Sequence, residues 1–280
     1  TIEKPFKSFA PKAWSYSPGD TFYFRAGEHV HSAWMSRSGT ANAWVVFRPY
    51  KNEKVILKGG GIDKDLFAVG NGGGYIDISG FEITGPSNIA VNLWGGKNVR
   101  VTGCVIHGCY RGALYTGNGG GPCYFANNLV YDNVRMNADR SISGSAGWPS
   151  AVNLDGTGSV AINNVIYENF GEGIGFYGDR TYAADNIVYD NYSVQVYISG
   201  ATNGRLERNF IYNTDDARFY RDLYGTNGPA FGIAVSNETA DRVTANDTIV
   251  NNIVRGGNMA FFFWKAKGGG GLDHFYIANN

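Results

Sequence analysis

Charge is scarce in this chain. Only 17% of its 280 residues are Asp, Glu, Lys or Arg, and 24 acidic residues balance 24 basic ones. Globular proteins carry about a quarter. Without a basic excess there is no electrostatic footprint for nucleic acid, and none is expected as a partner. Cysteine is nearly missing: Cys104, Cys109 and Cys123 are an odd set, so a full disulfide framework is excluded. They read as small apolar residues inside the fold, with room for one bridge. No apolar run nears the roughly 18–20 residues of a membrane span, and the aromatic stretch Phe261-Phe262-Phe263-Trp264 ends at Lys265. Leucine is sparse and no stretch repeats apolar residues at i, i+3 and i+4. Helical and leucine-rich repeats are thereby excluded. The chain opens at Thr1 with no signal-peptide pattern, which reads as the mature part of a secreted or cell-surface protein.

What is abundant is glycine, at 40 residues, with aromatics at 15% and asparagine throughout. Gly and Asn both tolerate a left-handed backbone, so such a chain turns many corners. The corners recur. YIDISGFEI at 75–83, VRVTGCVI at 99–106, YFANNLVY at 124–131, VAINNVIY at 160–167, YAADNIVY at 182–189 and LERNFIY at 206–212 share one pattern: short strand, polar corner, short strand. The corner residue falls at Phe81, Cys104, Asn128, Asn164, Asn186, Asn209, Asn252 and Asn280. Successive steps are 23, 24, 36, 22, 23, 43 and 28, a base period near 23 with insertions. Short β-branched and aromatic runs at this period predict an all-β, single-stranded right-handed parallel β-helix, a solenoid over residues 1–280. Coils then stack about 4.8 Å apart. Asn128, Asn164, Asn186 and Asn209 should form a column of bonded amides.

Pro18-Gly19-Asp20-Thr21-Phe22-Tyr23-Phe24-Arg25-Ala26-Gly27, Ser38-Gly39-Thr40 and Lys54-Val55-Ile56-Leu57-Lys58-Gly59 resemble the opening coils of bacterial right-handed β-helix proteins. With the Asn-Asn-x-Val-Tyr-x-Asn repeats, the resemblance to calcium-dependent pectate lyases and to the chondroitinase B and alginate lyase group spans nearly the whole chain. It implies the fold, an acidic polysaccharide or other glycan as partner, calcium as cofactor, and a Lys or Arg base. No Lys lies in the central coils where that base would sit. Residues 277–280 stop in mid-repeat, so a further stretch of chain or a partner is expected over the last coil.

One strand per coil precedes the long polar turn. Alternation gives it an outward face of Asn92, Trp94, Thr116, Asn153, Asp155, Tyr177, Tyr197, Ser199, Ser236 and Trp264. Aromatic platforms among amides and carboxylates suit sugars. Two insertions, 134–150 and 214–230, are rich in Arg, Asp and aromatics, among them Trp148 and Arg218. Asn92, Trp94, Asn153, Tyr197, Trp148, Trp264, Lys265 and Arg218 are therefore candidate substrate-binding residues. Asp155, Tyr177, Asp179 and Arg180 are the candidate catalytic set, and Asp155, Glu172 and Asp179 the candidate calcium ligands. The expected activity is β-elimination on a uronic-acid polymer, with Tyr177 or Arg180 acting on protons. Two alternatives stand beside it. One is a hydrolase using Asp155 and Asp179 as paired carboxylates. The other is a non-catalytic glycan-binding adhesin or phage-type spike.

Overall fold

A computed structural model describes residues 15–85, 87–142, 148–223, 226–238, 242–265 and 271–280. Three parallel sheets run the length of the molecule. The first has ten strands, from Thr21–Phe24 to Tyr276–Ala278; the second nine, from Gly27–His31 to Ile253–Arg255; the third nine, from Ala33–Met35 to Phe261–Lys265. Each coil gives one strand to each sheet in turn, and every strand pairs with its counterpart one coil away. Among the described residues there is no α-helix. The chain is a β-solenoid.

The core consists of columns. On the second sheet Leu57, Ile83, Ile106, Val130, Ile166, Val188 and Ile211 sit in register, one above another, all fully buried. Like side chains meet like, so every coil repeats the same packing problem and its solution.

The Asn-Asn doublets have a double physical role. The first residue of each corner adopts a left-handed backbone: Asn127, Asn163, Asp185, Arg208, Asn251 and Asn279 have φ between 54° and 58°. That turns the chain from the first sheet to the second. The second residue points inward and bonds along the stack. Nδ2 of Asn128 donates to Oδ1 of Asn164 (2.9 Å), Asn164 to Asn186 (3.0 Å), Asn186 to Asn209 (2.9 Å), Asn209 to Asn252 (2.9 Å) and Asn252 to Asn280 (2.8 Å). The predicted column is there.

A second column was not foreseen. Asn133, Asn169 and Asn191 form it at the next corner, each after a left-handed residue: Asp132, Glu168 and Asp190. Asn213 follows Tyr212 directly, one residue short of the spacing, and Gln195 bridges the gap from Asn191 to Asn213. Cys104 and Cys109 head the two columns, their backbone N–H groups donating to Asn128 and Asn133. All three cysteines are free and buried, and burial pushes the thiols of Cys104 and Cys109 up to about 12.

The third sheet corrects one register. Leu114 pairs with Val91 and Val152, so Tyr115 faces outward and Thr116 inward, the reverse of the sequence reading. The strand starts one residue later than its neighbours suggest. Thr116 is buried and its hydroxyl accepts from the N–H groups of Asp155 and Gly156, fixing the turn above it.

One buried carboxyl carries a stability prediction. Oδ1 of Asp247 accepts from the Gly204 N–H at 2.6 Å, while buried Oδ2 lacks a hydrogen-bond partner. Burial raises this carboxyl to about 6. The folded state thus keeps its proton to higher pH than the unfolded chain. The stability this gives is complete below pH ~4 and lost as pH rises through ~6. Asp247→Asn should therefore stabilise the protein at pH 8 by on the order of 2 kcal/mol and change little at pH 4. Denaturant titrations at the two pH values check this; equal effects at both would refute it.

Candidate active site

The two insertions meet over the third sheet. Residues 214–230 form a short turn at Ala217–Phe219 and an antiparallel hairpin of Tyr220–Leu223 with Thr226–Pro229. Phe219 packs on Phe170, and Arg140 of the first insertion donates to the Arg218 carbonyl at 3.1 Å. From the hairpin, the Arg221 guanidinium lies 4.5 Å from the Trp148 ring centre and donates to the Ser193 carbonyl and hydroxyl. A rigid stack thus gains a wall on one side.

Behind that wall is a cavity of about 380 Å³. Its polar lining is Glu172, Tyr177, Ser193, Tyr197, Arg221, Asp222 and Glu238, and Trp148, Phe231, Phe262 and Trp264 form aromatic walls. Its centre is a tight hydrogen-bonded group. The Tyr177 hydroxyl donates to Oε2 of Glu172 at 2.6 Å, and the Ser150 hydroxyl donates to the same oxygen at 2.6 Å. Gly175 makes this group fit: a Cβ there would stand 2.3 Å from both Ser150 Oγ and the Tyr177 ring. Beside it, the Tyr197 hydroxyl donates to Oε1 of Glu238 at 2.7 Å, and the two tyrosine rings meet edge to face.

The electrostatics separate the groups by role. Burial pushes the Glu172 carboxyl up to about 7, against the hydrogen bonds from Ser150 and Tyr177 that favour its ionised form. Burial and the neighbouring Glu172 hold Tyr177 well above its ordinary value, and burial does the same to Tyr197 with Glu238 adding to it. Both tyrosines keep their protons. Glu172 titrates near neutrality, the range suited to proton transfer at working pH. A wider hollow of about 560 Å³ on the first sheet has Trp44, Arg100 and Tyr124 but a single carboxylate, Asp77. It offers no acid–base pair.

The structure brings Glu172, Tyr177, Tyr197, Trp148 and Trp264 to the cavity. Others lie elsewhere. Asp155 stands one coil from Tyr177 and is paired with Arg242 at 2.8 Å. Asp179 accepts from Thr202 and Asn203 and pairs with Arg180, which is exposed at the next corner with a left-handed backbone. Arg218 is bound to Asp216 and Glu168 on the outer side. Asn92 donates to Asp65 at 2.7 Å, Asn153 is half-buried on the outward row, and Trp94 is half exposed. Lys265 ends a strand, and its side chain lies outside the described residues. Sequence reasoning missed Arg221, Glu238, Phe231 and Phe262. Arg221 lay within the insertion singled out for its Arg and Asp content, and Phe262 stands two residues before Trp264, on the face where alternation puts both; Glu238 and Phe231 gave no signal.

The carboxylates proposed for calcium do not converge. Among the described residues no three His, Cys, Asp or Glu side chains gather around one point. Asp155, Glu172 and Asp179 each satisfy separate partners. This donor set does not fit a shared cation, which takes six to eight oxygens.

No protein-family model matches the sequence, and no curated protein does. Solved structures share its fold. Alginate lyase from Paenibacillus sp. str. FPU-7 superposes with a TM-score of 0.63 at 15% identity, covering 94% of this chain and 93% of that one. Pectate lyase Pel9A gives 0.59 at 14% identity, covering 98% and 74%. DFA-IIIase from Arthrobacter chlorophenolicus A6 gives 0.52 at 14% identity, covering 80% and 62%. At such identities the likeness speaks for the backbone alone. By fold, the chain stands with alginate lyase, pectate lyase and similar right-handed β-helix proteins.

Proposed function

We propose that the protein is an extracellular enzyme that cleaves a uronic-acid-containing polysaccharide by β-elimination in the cavity between the two insertions. The observation that carries this reading is the hydrogen bond from Tyr177 to a buried Glu172 poised near pH 7, with Arg221 lining the same cavity. Arg221 receives the uronate carboxylate through its planar fork. The proton on the carbon next to that carboxylate passes to the Tyr177 oxygen as the tyrosine's own proton moves to Glu172. The electron pair released forms a carbon–carbon double bond and expels the glycosidic oxygen from the neighbouring carbon. That oxygen takes a proton back from Tyr177, which recovers one from Glu172. Tyr177 never becomes a phenolate, in keeping with its raised value. No step runs through a metal.

A second reading has its own support: Glu238 lines the same cavity as Glu172. One raised and one exposed carboxylate form the pair used in glycoside hydrolysis. Incubation with alginate, pectate and chondroitin, with and without calcium, tells them apart. β-Elimination gives products with unsaturated ends that absorb in the ultraviolet. New reducing ends without that absorbance favour hydrolysis. Glycan binding with neither product favours the adhesin or spike.

A further inference from the structure

The hollow of about 560 Å³ on the first sheet lies on another face of the solenoid from the cavity. Its floor is the strand Lys97–Thr102, which sends Asn98, Arg100 and Thr102 outward between Asp77 on the coil before and Tyr124 on the coil after. Trp44 closes the amino-terminal end. Its ring meets Tyr75 edge to face at 5.6 Å, and its Nε1 donates to the Ala41 carbonyl at 3.2 Å, so the indole is fixed. The Arg100 guanidinium lies over that ring, 3.9 Å from its centre. At the other end Tyr124 is 39% exposed.

The polar groups here are open, while the same residue types elsewhere on this sheet are closed into bonds. Arg100 and Tyr124 share one outward row with Val160, Tyr182 and Arg205. Tyr182 and Arg205 both donate to Glu207, and Arg48 donates to the Tyr23 hydroxyl. Among the described residues, the side chains of Asp77, Asn98, Arg100, Thr102 and Tyr124 make no hydrogen bond or ion pair. Asp77 and Arg100 stand opposite each other in register, yet the cation goes to the indole and not to the carboxylate. A stacked guanidinium leaves its planar fork of N–H groups unused and has little freedom left to lose when a ligand binds.

We infer that this hollow is a second, non-catalytic glycan site, which takes an acidic sugar unit. Arg100 receives the carboxylate through two parallel hydrogen bonds. Tyr124 offers its face to the apolar side of the sugar ring. Asp77 and the Asn98 amide oxygen accept from hydroxyls. Asp77 also sets the ligand class. It repels a phosphate or sulfate cluster, and it suits a unit with one carboxylate at one end and hydroxyl donors at the other. With no acid–base pair, the hollow holds its ligand without altering it. Its place on the first sheet makes it no part of the cavity, and a protein with both sites grips a polymer at two points. The inference requires an acidic glycan as partner and does not require cleavage in the cavity.

Indole N–H signals in two-dimensional NMR spectra read the two sites separately. Trp44 reports the hollow, and Trp148 and Trp264 report the cavity; Trp44→Phe, Trp148→Phe and Trp264→Phe assign the signals. The full chain is titrated in the Glu172→Gln background, so that no ligand is consumed. Tetrasaccharides of galacturonate, mannuronate, guluronate and chondroitin are the probes, with maltotetraose as the neutral control. At least one acidic probe should move the Trp44 signal to saturation, and maltotetraose should not. Arg100→Met keeps the stem and drops the charge, and should weaken this binding about 10- to 100-fold. Tyr124→Ala should weaken it about 2- to 10-fold. The remaining indole signals report that each variant is folded. A Trp44 signal that moves with none of the acidic probes, moves equally with maltotetraose, or responds unchanged in Arg100→Met would overturn the site. Failure of the cavity reading shows independently, as silence of Trp148 and Trp264.

Discussion

Glu172→Gln will lower turnover of the polymer by about 10²- to 10⁴-fold, the usual contribution of a positioned proton-transfer group. The amide keeps the size of the side chain and can still accept from Ser150 and Tyr177. It cannot take the tyrosine proton. The defect should appear in kcat, with KM nearly unchanged, because Glu172 serves the transition state and not the resting complex. Tyr177→Phe should cost a similar factor, and the double variant little more than either alone, since the two groups act as one unit. A pair of fully additive losses would mean that they work independently. Thermal unfolding supplies the control: Glu172→Gln removes a buried group that ionises above pH 7, so it should not lower stability at pH 8.

The other large effect falls far from the cavity. Asn164→Leu should destabilise the protein by on the order of 4 kcal/mol, from several buried polar groups losing partners at roughly 1–3 kcal/mol each. Oδ1 of Asn164 accepts from both the backbone N–H and Nδ2 of Asn128, and its Nδ2 donates to the Phe125 carbonyl and to Asn186. Leucine has a suitable size and the wrong chemistry. A loss of that order is a large part of the 5–15 kcal/mol that holds a typical domain. Denaturant unfolding at neutral pH measures it, and a loss below about 1 kcal/mol would mean that the column is ornamental.

These two sites differ in how visible they were beforehand. The Asn164 column was legible because a solenoid writes its contacts at a fixed interval, so identical residues at that interval must meet. The second column was equally available: Tyr131-Asp132-Asn133, Tyr167-Glu168-Asn169 and Tyr189-Asp190-Asn191 repeat its signal. Thr116 faces inward where alternation from Ala113 puts it outward. A strand's face depends on parity, and a start one residue later reverses every side chain. The cavity was harder still. Glu172 and Tyr177 are five residues apart and were both singled out, but Glu172 in the part of a calcium ligand. Its burial depends on walls from two insertions that break the period. Arg221 and Glu238 come from segments with no counterpart in other coils, so no repeat predicts their position. Asp179 reads from the sequence as a calcium ligand or as the carboxylate partner of Asp155, and Arg180 as a group acting on protons, yet Arg180 sits at a left-handed corner and Asp179 is held there by Asn203.

The dependence of elimination rate on pH bears most directly on the central claim, that Glu172 accepts a proton through Tyr177. The carboxyl titrates at about 7 and must be ionised to work. The rate of formation of unsaturated ends should therefore rise with pH through a midpoint near 7 and level off above it. A rate highest below pH 6 and falling through 7 would mean that Glu172 works as a protonated acid, and would contradict the account.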